Sequence, residues 1–178
     1  MMPETSKPTV TGLYHVGLHA KNPTQMAEFY RDVMGLQIVS NIDSPDIQMV
    51  FLSSRPDEEA HELVFASRPE LAHVAFKVDT LADLRAFYQH IVEKGLPIKM
   101  ALNHGVSLAF YFQDIEGNLI EIYWPSDLDS PQPDSYPIDL SLPETVLREN
   151  MAELAAQADT AQPEDISQLF ARFFSSTN

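Results

Sequence analysis

The sequence predicts an α+β fold built from two βαβββ modules. Two observations predict it: an internal repeat divides most of the chain into similar halves, and each half carries one helix pattern among short runs of strand character. The modules cover residues 12–66 and 70–124. An N-terminal extension over residues 1–11 precedes them, and a linker with a C-terminal helical tail follows over residues 125–178.

The repeat consists of three short motifs that recur in the same order, 58 to 60 residues apart. Each copy has a His-Val pair, a Phe-Tyr pair that begins fourteen residues after the histidine, and a Gly-Leu-x-Ile ending. The copies are His15-Val16 and His73-Val74, Phe29-Tyr30 and Phe87-Tyr88, and residues 35–38 and 95–98. Because chance rarely supplies three matches in one order, we predict a duplicated structural unit.

Each copy also has the boundaries of a helix. In the first copy, Asn22 is placed to cap the helix, Pro23 to occupy its first turn and Gly35 to end it. In the second copy, Thr80 and Gly95 take the capping and ending positions. The helical spacing predicts one buried stripe on each helix. These stripes are Met26, Phe29, Tyr30 and Val33 in the first helix, and Leu84, Phe87, Tyr88 and Ile91 in the second.

Three runs of strand character follow each helix, separated by turn signals. They cover residues 37–41, 48–53 and 61–66, then 98–101, 107–112 and 119–124. Because side chains alternate along a strand, one face carries apolar residues that fit packing on a helix, and in the first strand this face holds Tyr14, Val16 and Leu18. The opposite faces predict a polar cavity, since they carry His15, His73, Tyr111 and Glu121.

The composition restricts the classes of function. The 178 residues carry a net charge of −15, and so acidic a surface repels nucleic acid and anionic lipid. There is no cysteine, which excludes thiol nucleophiles, cysteine-ligated zinc and iron–sulfur clusters. No apolar run is long enough to span a bilayer and the first residues contain no signal-peptide core, so we expect a cytoplasmic protein with no nucleic-acid or membrane partner.

The C-terminal tail has the composition of a linker over residues 126–137, and two short acidic helices are predicted over residues 143–158 and 163–174. Phe170, Phe173 and Phe174 need a surface to cover them, either on the same domain or on a second copy of the chain. We therefore expect a homo-oligomer such as a dimer, with packing within the chain as the alternative.

Two of the polar residues, His15 and His73, take equivalent positions in the two repeats. A single histidine in a strand is more commonly a hydrogen-bonded structural residue, but this equivalence favours a shared role. Two neutral imidazoles and one carboxylate suit a divalent first-row metal, and three protein ligands leave positions open for substrate and oxygen. The sequence thus predicts a metal site formed by His15, His73 and Glu121.

The two modules resemble the vicinal oxygen chelate superfamily, which includes glyoxalase I, bleomycin-resistance proteins and extradiol ring-cleaving dioxygenases. Within the second module, residues 104–121 are similar to the extradiol dioxygenase signature, and the matching positions are His104, Tyr111, Asp114, Gly117 and Glu121. It departs from that signature at Ile115, where proline is usual. The resemblance implies that the modules form a curved mixed sheet, a cup around the metal.

The resemblance also implies the role of each residue. His61 is similar to the acid–base histidine of the family, and His104 with Tyr111 is similar to the pair that binds the substrate oxygens. The implied reaction is the cleavage of a small aromatic diol by O₂ beside its hydroxyl groups. The resemblance further implies that His15, His73 and Glu121 are the metal ligands. The implied metal is Fe(II), and Mn(II), Ni(II) or Zn(II) are the alternatives.

Two alternatives stay open. By distance along the repeat, Glu62 rather than His61 is the counterpart of Glu121, and neighbouring residues of a strand face opposite ways. A cavity that includes Glu62 as a metal ligand would resemble the four-ligand site of a glyoxalase I-like isomerase or lyase with Ni(II) or Zn(II). A cup that holds no metal would resemble a non-catalytic small-molecule binding protein of the bleomycin-resistance type.

Overall fold

The computed structural model describes residues 7–105, 107–126 and 135–157. The helix predicted over residues 163–174, with its three phenylalanines, lies outside this part of the chain. Among the described residues, no helix has both the length and the apolar character needed to cross a bilayer.

The two modules contain the predicted βαβββ order, so the α+β prediction is confirmed. The first module consists of β1 (Gly12–His19), α1 (Pro23–Phe29), β2 (Gln37–Asp43), β3 (Gln48–Ser53) and β4 (Leu63–Ala66). The second consists of β5 (His73–Lys77), α2 (Leu81–Glu93), β6 (Ile98–Asn103), β7 (Ser107–Gln113) and β8 (Leu119–Pro125). The C-terminal segment adds β9 (Tyr136–Pro137) and α3 (Glu144–Gln157).

All nine strands form one curved mixed sheet in the order β2-β3-β4-β1-β5-β8-β7-β6-β9. The equivalent first strands of the modules, β1 and β5, lie side by side and antiparallel at its centre. Each also pairs in parallel with the last strand of its own module, β1 with β4 and β5 with β8. The duplication therefore brings four related strands together, and the side chains on their inner face meet in the middle of the sheet.

The two faces of the sheet have separate hydrophobic cores. On the outer face, Ala27 of α1 packs with Phe65, and Leu84 of α2 packs with Phe110. The inner face has its own apolar cluster, which includes Tyr111 and Tyr123. Since neighbours along β7 divide between the two cores, the alternation predicted for this strand is confirmed.

Helix α1 has the predicted N-terminal cap, Asn22, but it buries a different face from the one predicted. The residues that pack on the sheet are Pro23 and Ala27, whereas Phe29 and Val33 are 54% and 63% exposed. Of the predicted stripe only Tyr30 packs on the core, where its ring centroid lies 5.0 Å from that of Phe65, so the prediction is wrong for the other three residues. After seven residues, α1 widens into a π-helical turn over residues 30–34. A single 3.6-residue spacing does not hold across that change of pitch.

The segment after β8 adds to both the sheet and the outer core. Strand β9 pairs antiparallel with β6, where Tyr136 lies opposite Asn103. Helix α3 buries Leu147 and Met151 in the outer core on the α2 side of the sheet. The segment expected to be a linker therefore contributes a ninth strand at the sheet edge.

Candidate metal centre

Three side chains of metal-ligand type meet on the inner face, where β1, β5 and β8 lie side by side. His15 Nε2 lies 2.8 Å from His73 Nε2, and Glu121 Oε2 lies 3.2 Å from each of these two nitrogens. His15 and Glu121 are buried, and His73 is nearly so. Because each central strand supplies one of the residues, the backbone hydrogen bonds of the sheet hold the group together.

The hydrogen bonds of these side chains fit a bound cation. His73 Nδ1 lies 2.6 Å from the carbonyl oxygen of Leu71 and donates to it, which leaves the lone pair of the ring on Nε2. Glu121 Oε2 is buried and has no hydrogen-bond partner in the described part of the chain. Buried lone pairs that face one another need a cation or a proton between them. The three side chains therefore form a group suited to binding a metal.

Burial and the short contacts set the charge of this group. Burial alone would raise the pKa of Glu121, but the adjacent imidazoles of His15 and His73 hold that pKa well below its usual value. Burial lowers the pKa of His15. Burial acts in the same direction on His73, but the adjacent carboxylate of Glu121, 3.2 Å from Nε2, outweighs burial and raises the pKa of the ring. The carboxylate therefore stays ionised and supplies negative charge for a divalent cation.

His61 lies beside this group, two residues before β4. Its ring centroid is 4.4 Å from that of His15 and 5.2 Å from that of Phe51, and it lines the same cavity. Burial, followed by the nearby His15, lowers the pKa of His61 well below its usual value. The imidazole is therefore neutral and has a lone pair available to accept a proton.

His104 and Tyr111 border the cavity from the turn before β7 and from β7 itself. His104 Nε2 lies 3.3 Å from the Tyr111 hydroxyl, and His104 Nδ1 lies 3.1 Å from Ser135 Oγ. Tyr111 is opposite Glu121 in the ladder of β7 and β8. Burial, followed by the negative charge of Glu121, raises the pKa of Tyr111 well above its usual value, so the phenol keeps its proton and can donate a hydrogen bond.

Glu62 points away from the cavity. Its carboxylate accepts hydrogen bonds from the backbone amide of Ser54 (2.7 Å) and from the guanidinium of Arg55 (2.9 Å). Hydrogen bonds from the Ser54 hydroxyl and then from Arg55 lower the pKa of Glu62 to about 2. Of the neighbours His61 and Glu62, the structure brings only the histidine to the cavity.

The expected equivalence of Glu62 and Glu121 is wrong. In the sheet register, Val64 is the residue of the first module that takes the position of Glu121. Val64 follows His15 by 49 residues, whereas Glu121 follows His73 by 48 residues. A count along the chain therefore does not fix which residue faces inward. Strand β4 also starts at Leu63, two residues later than predicted.

The remaining wall of the cavity is mostly apolar. Its apolar side chains come from β2, β3, β4, β6, β8 and the turn before β5: Ile42, Met49, Phe51, Val64, Leu71, Met100 and Leu119. Ser107, Tyr123 and Ser135 add hydroxyl groups. Among the described residues, neither a lysine nor an arginine lines the cavity. The cavity thus combines one anionic metal-binding group with walls suited to an uncharged ring.

Two features of the cavity do not follow from strand alternation. A bulge between Leu13 and His15 shifts the pairing of β1, so Tyr14, expected on the outer face, joins the inner cluster. There it stacks on Tyr123 with ring centroids 4.2 Å apart. Ser135 comes from the expected linker, yet it is 4% exposed and contacts His104. A bulge and a returning segment are tertiary features with no local pattern that would have indicated them.

Comparison with known proteins identifies relatives of this chain. The sequence model of the glyoxalase/bleomycin resistance protein/dioxygenase superfamily matches residues 12–122, which is almost the whole of the two modules. Biphenyl-2,3-diol 1,2-dioxygenase 3 of Rhodococcus globerulus is 31% identical over 122 residues, which cover 62% of this chain and 61% of that protein. Biphenyl-2,3-diol 1,2-dioxygenase 2 of the same organism is 28% identical over 119 residues, which cover 61% and 60% of the two chains.

These alignments span about three fifths of the length of the two curated relatives. Among solved structures, homoprotocatechuate 2,3-dioxygenase from Arthrobacter globiformis aligns with a TM-score of 0.56 at 22% sequence identity. The alignment covers 72% of this chain and 40% of that protein. At this identity the likeness concerns the fold.

Proposed function

Because the chain belongs to the glyoxalase/bleomycin resistance protein/dioxygenase superfamily, we propose that it is an extradiol-type dioxygenase. In this proposal Fe(II) is held by His15, His73 and Glu121, and the protein uses O₂ to cleave a catechol ring beside its two hydroxyl groups. Two relatives named as biphenyl-2,3-diol dioxygenases support this reaction class.

One observation carries the proposal: the three-residue metal-binding group shares its cavity with three side chains that can accept a proton or form hydrogen bonds. These side chains are His61, His104 and Tyr111. A metal site that only stabilises the fold would be enclosed by four ligands, whereas three protein ligands leave room for a substrate and oxygen. A neutral His61 and a protonated Tyr111 lie within the same cavity, one able to accept a proton and the other able to donate a hydrogen bond.

When bound, Fe(II) would supply Lewis acidity that lowers the pKa of a phenol, and redox chemistry toward oxygen. The residues of the chain supply the rest. His61 accepts the proton that a catechol hydroxyl releases, since its imidazole is neutral and lies beside the ligand group. Tyr111 and His104 hold and orient the substrate oxygens by hydrogen bonds. The apolar walls exclude water from the reacting atoms.

The same walls indicate the kind of catechol. A ring substituent that carries a carboxylate would need a cationic partner when buried, and among the described residues no lysine or arginine lines the cavity. We therefore propose a catechol whose ring substituent is uncharged and apolar, such as an alkyl or aryl group. The word biphenyl in the names of both curated relatives agrees with this choice.

The glyoxalase-like alternative has less support, because the Glu62 carboxylate is held by Ser54 and Arg55 outside the cavity. In addition, Tyr111 and His104 would have no task in a four-ligand isomerase site. The metal-free binding protein is opposed by the buried carboxylate of Glu121, whose Oε2 faces two imidazole nitrogens at 3.2 Å but makes no hydrogen bond among the described residues. A site that never holds a cation gains nothing from such a carboxylate.

The experiment is oxygen uptake by protein loaded anaerobically with Fe(II), given a panel of catechols, with the visible spectrum recorded alongside. The panel contains unsubstituted catechol, a catechol with an aryl group and a catechol with a carboxylate group. We expect uptake with a yellow ring-cleavage product, greatest for the aryl catechol and lowest for the carboxylate. Parallel loading with Mn(II), Ni(II) or Zn(II) identifies the metal that supports turnover.

Two results would overturn the proposal in different ways. Tightly bound iron without uptake on any catechol would reject ring cleavage and return attention to isomerase chemistry. A chain that binds none of the four metals would reject the metal site itself and favour the small-molecule binding protein. Glu121→Gln serves as the negative control, because it removes the carboxylate charge with little change in shape.

A further inference from the structure

The first module carries most of the exposed apolar surface. Of the ten large apolar side chains that are exposed in the described part of the chain, seven belong to this module. Four of the seven lie along α1 and the π-helical turn that follows it, and we call them the α1 face: Met26, Phe29, Val33 and Met34. Side chains three and four residues apart are neighbours on a helix, so these residues form one patch. An apolar patch of this kind marks an interaction surface.

The repeat shows what covers the same side of the second module. The counterparts of Met26 and Val33, 58 residues further along the chain, are Leu84 and Ile91, which are 0% and 7% exposed. They share one core with three residues of the C-terminal segment, Leu140, Leu147 and Met151. Among the described residues, the core beneath α1 contains no residue of that segment. The C-terminal segment therefore adds cover to α2 and none to α1 within the described part of the chain.

The chain has a second apolar stripe that needs a partner. It continues for 21 residues after α3, and the sequence predicts a helix over residues 163–174. The apolar residues of this predicted helix recur at spacings of three and four, which places them on one face: Ile166, Leu169, Phe170, Phe173 and Phe174. A helix of this length is marginal in water unless its apolar face is packed. Its partner must therefore be an apolar surface such as the α1 face.

The end of α3 indicates that this partner belongs to a second copy of the chain. In the last turns of α3, Leu154 lines a groove with Asn103 and Tyr136, which pair at the β6–β9 edge of the sheet. Helix α1 packs on β3 and β4, and β4 is five strands from β6, about 24 Å along the sheet. The six steps from Gln157 to Pro163 span at most about 20 Å, and α2 lies between. The predicted helix therefore cannot begin at the α1 face of its own chain.

We propose that the α1 face binds residues 163–174 of a second copy of this chain, so that two copies exchange their C-terminal segments and form a symmetric dimer. The exchange covers α1 of each copy with an apolar stripe, as the C-terminal segment covers α2 within one chain. No residue of the α1 face lines the cavity. The proposal is therefore independent of the proposed function.

The first test measures the oligomeric state of the full-length chain by light scattering after gel filtration. We expect a dimer for the wild type. Two double variants, Phe29→Ser with Val33→Ser and Phe173→Ser with Phe174→Ser, should each raise the Kd of the dimer by more than about 100-fold. Each substitution removes an apolar contact from both halves of a symmetric interface. Circular dichroism verifies the fold of both variants.

Val92→Ser is the matched control for this test. Val92 is the counterpart of Met34 in the repeat and is 51% exposed on α2, outside the α1 face. We expect this variant to form the dimer as the wild type does. A monomeric wild type would overturn the proposal, and so would a dimer that persists in either double variant.

A disulfide test identifies the contact itself, and it does not depend on the stability of the serine variants. The chain has no cysteine, so Phe29→Cys and Phe173→Cys each introduce a single thiol. Mixing the two variants, one enlarged by a tag, and oxidising them should give a disulfide between the tagged and the untagged chain. Replacing Phe29→Cys by Val92→Cys should abolish it.

A chain that carries both cysteine substitutions distinguishes docking on a second copy from docking on the same chain. We expect oxidation to give covalent dimers. A product of monomer mass with an internal disulfide would place residues 163–174 on their own chain and overturn the proposal. Absence of the mixed disulfide between Phe29→Cys and Phe173→Cys would overturn it as well.

Discussion

Val64 of β4 occupies, in the first module, the sheet position that Glu121 of β8 occupies in the second. Val64 is paired with Gly17 of β1, and Glu121 is paired with Ala75 of β5. These partners each stand two residues after the histidine of their module. The duplication therefore placed a histidine in both modules and a carboxylate in one, and an apolar side chain lies where a fourth ligand would stand.

From this relationship we expect Glu121→Ala to lose the metal and Glu62→Ala to keep it. Removing a direct ligand weakens metal affinity by more than about 100-fold, since even changes behind the ligands cost about 10- to 100-fold. Isothermal titration with Fe(II) under anaerobic conditions measures both affinities. Glu62→Ala is the control because its carboxylate bonds to Ser54 and Arg55 instead. Equal losses in the two variants would contradict the three-residue assignment.

Gly17 gives a second test of the metal site without changing any ligand. A Cβ at this position would lie 2.6 Å from the Cε1 and Nδ1 atoms of His73 and 3.3 Å from the carbonyl oxygen of Leu71. That ring has little freedom to move, because Nδ1 is held by Leu71 (2.6 Å). We expect Gly17→Ala to weaken metal binding by about 10- to 100-fold, the scale of a disturbed outer shell.

Gly12→Ala, in the same strand, is the matched control for Gly17→Ala, since a Cβ there would meet no atom within 4 Å. Metal titration of both variants, with circular dichroism to verify the fold, separates displacement of His73 from a general effect of removing glycine. A Gly17→Ala protein with wild-type affinity would show that the ring of His73 is not fixed as the structure has it.

Much of the inner face could be predicted because the repeat carries its own register information. His15 and His73 match between the modules, and the first strands of two such modules pair at the sheet centre. Tyr111 and Glu121 were predicted on one face from the alternation along β7 and β8, and they are direct partners in the ladder. Where the strands are regular, a pattern of period two is sufficient to assign a face.

The failures occur where the chain departs from regular geometry. The bulge before His15 turned Tyr14 inward, and in the π-helical turn after α1 Val33 is exposed while Tyr30 packs on the core. Ser135 lies 31 residues from its partner His104 in a segment rich in proline and serine. Such contacts depend on how far a segment folds back, which local composition does not encode.

His61→Ala is expected to separate catalysis from metal binding. The ring lies beside His15 without belonging to the ligand group, so the variant should bind Fe(II) as the wild type does. Loss of a general base lowers the rate about 10²- to 10⁴-fold. Steady-state oxygen uptake together with iron content checks both expectations. His90→Ala, on α2 and away from the cavity lining, is the control. An unchanged rate in His61→Ala would contradict the acid–base role.

Glu62 is expected to stabilise the fold in a pH-dependent way that has no connection with the metal. Its pKa falls from 4.5 to about 2 on folding, because of the hydrogen bonds from Ser54 and Arg55. A depressed folded pKa adds stability above the unfolded value, and this stability is lost as the pH falls from 4.5 toward 2. At pH 7, Glu62→Gln should lower the free energy of unfolding by about 1–2 kcal/mol, less than the full shift implies because solvent screens a partly exposed group.

Urea unfolding of the wild type and Glu62→Gln at pH 7, 4 and 3 tests this expectation, since the difference in free energy of unfolding should shrink as Glu62 takes up its proton. Glu58→Gln is the control: it contacts the same Arg55 at 3.1 Å, but its side chain is 69% exposed. Exposed pairs contribute about 0–1 kcal/mol, so this variant should stay near the wild type at every pH. A Glu62→Gln deficit that is the same at pH 7 and pH 3 would show that the carboxylate acts through packing and not through its charge.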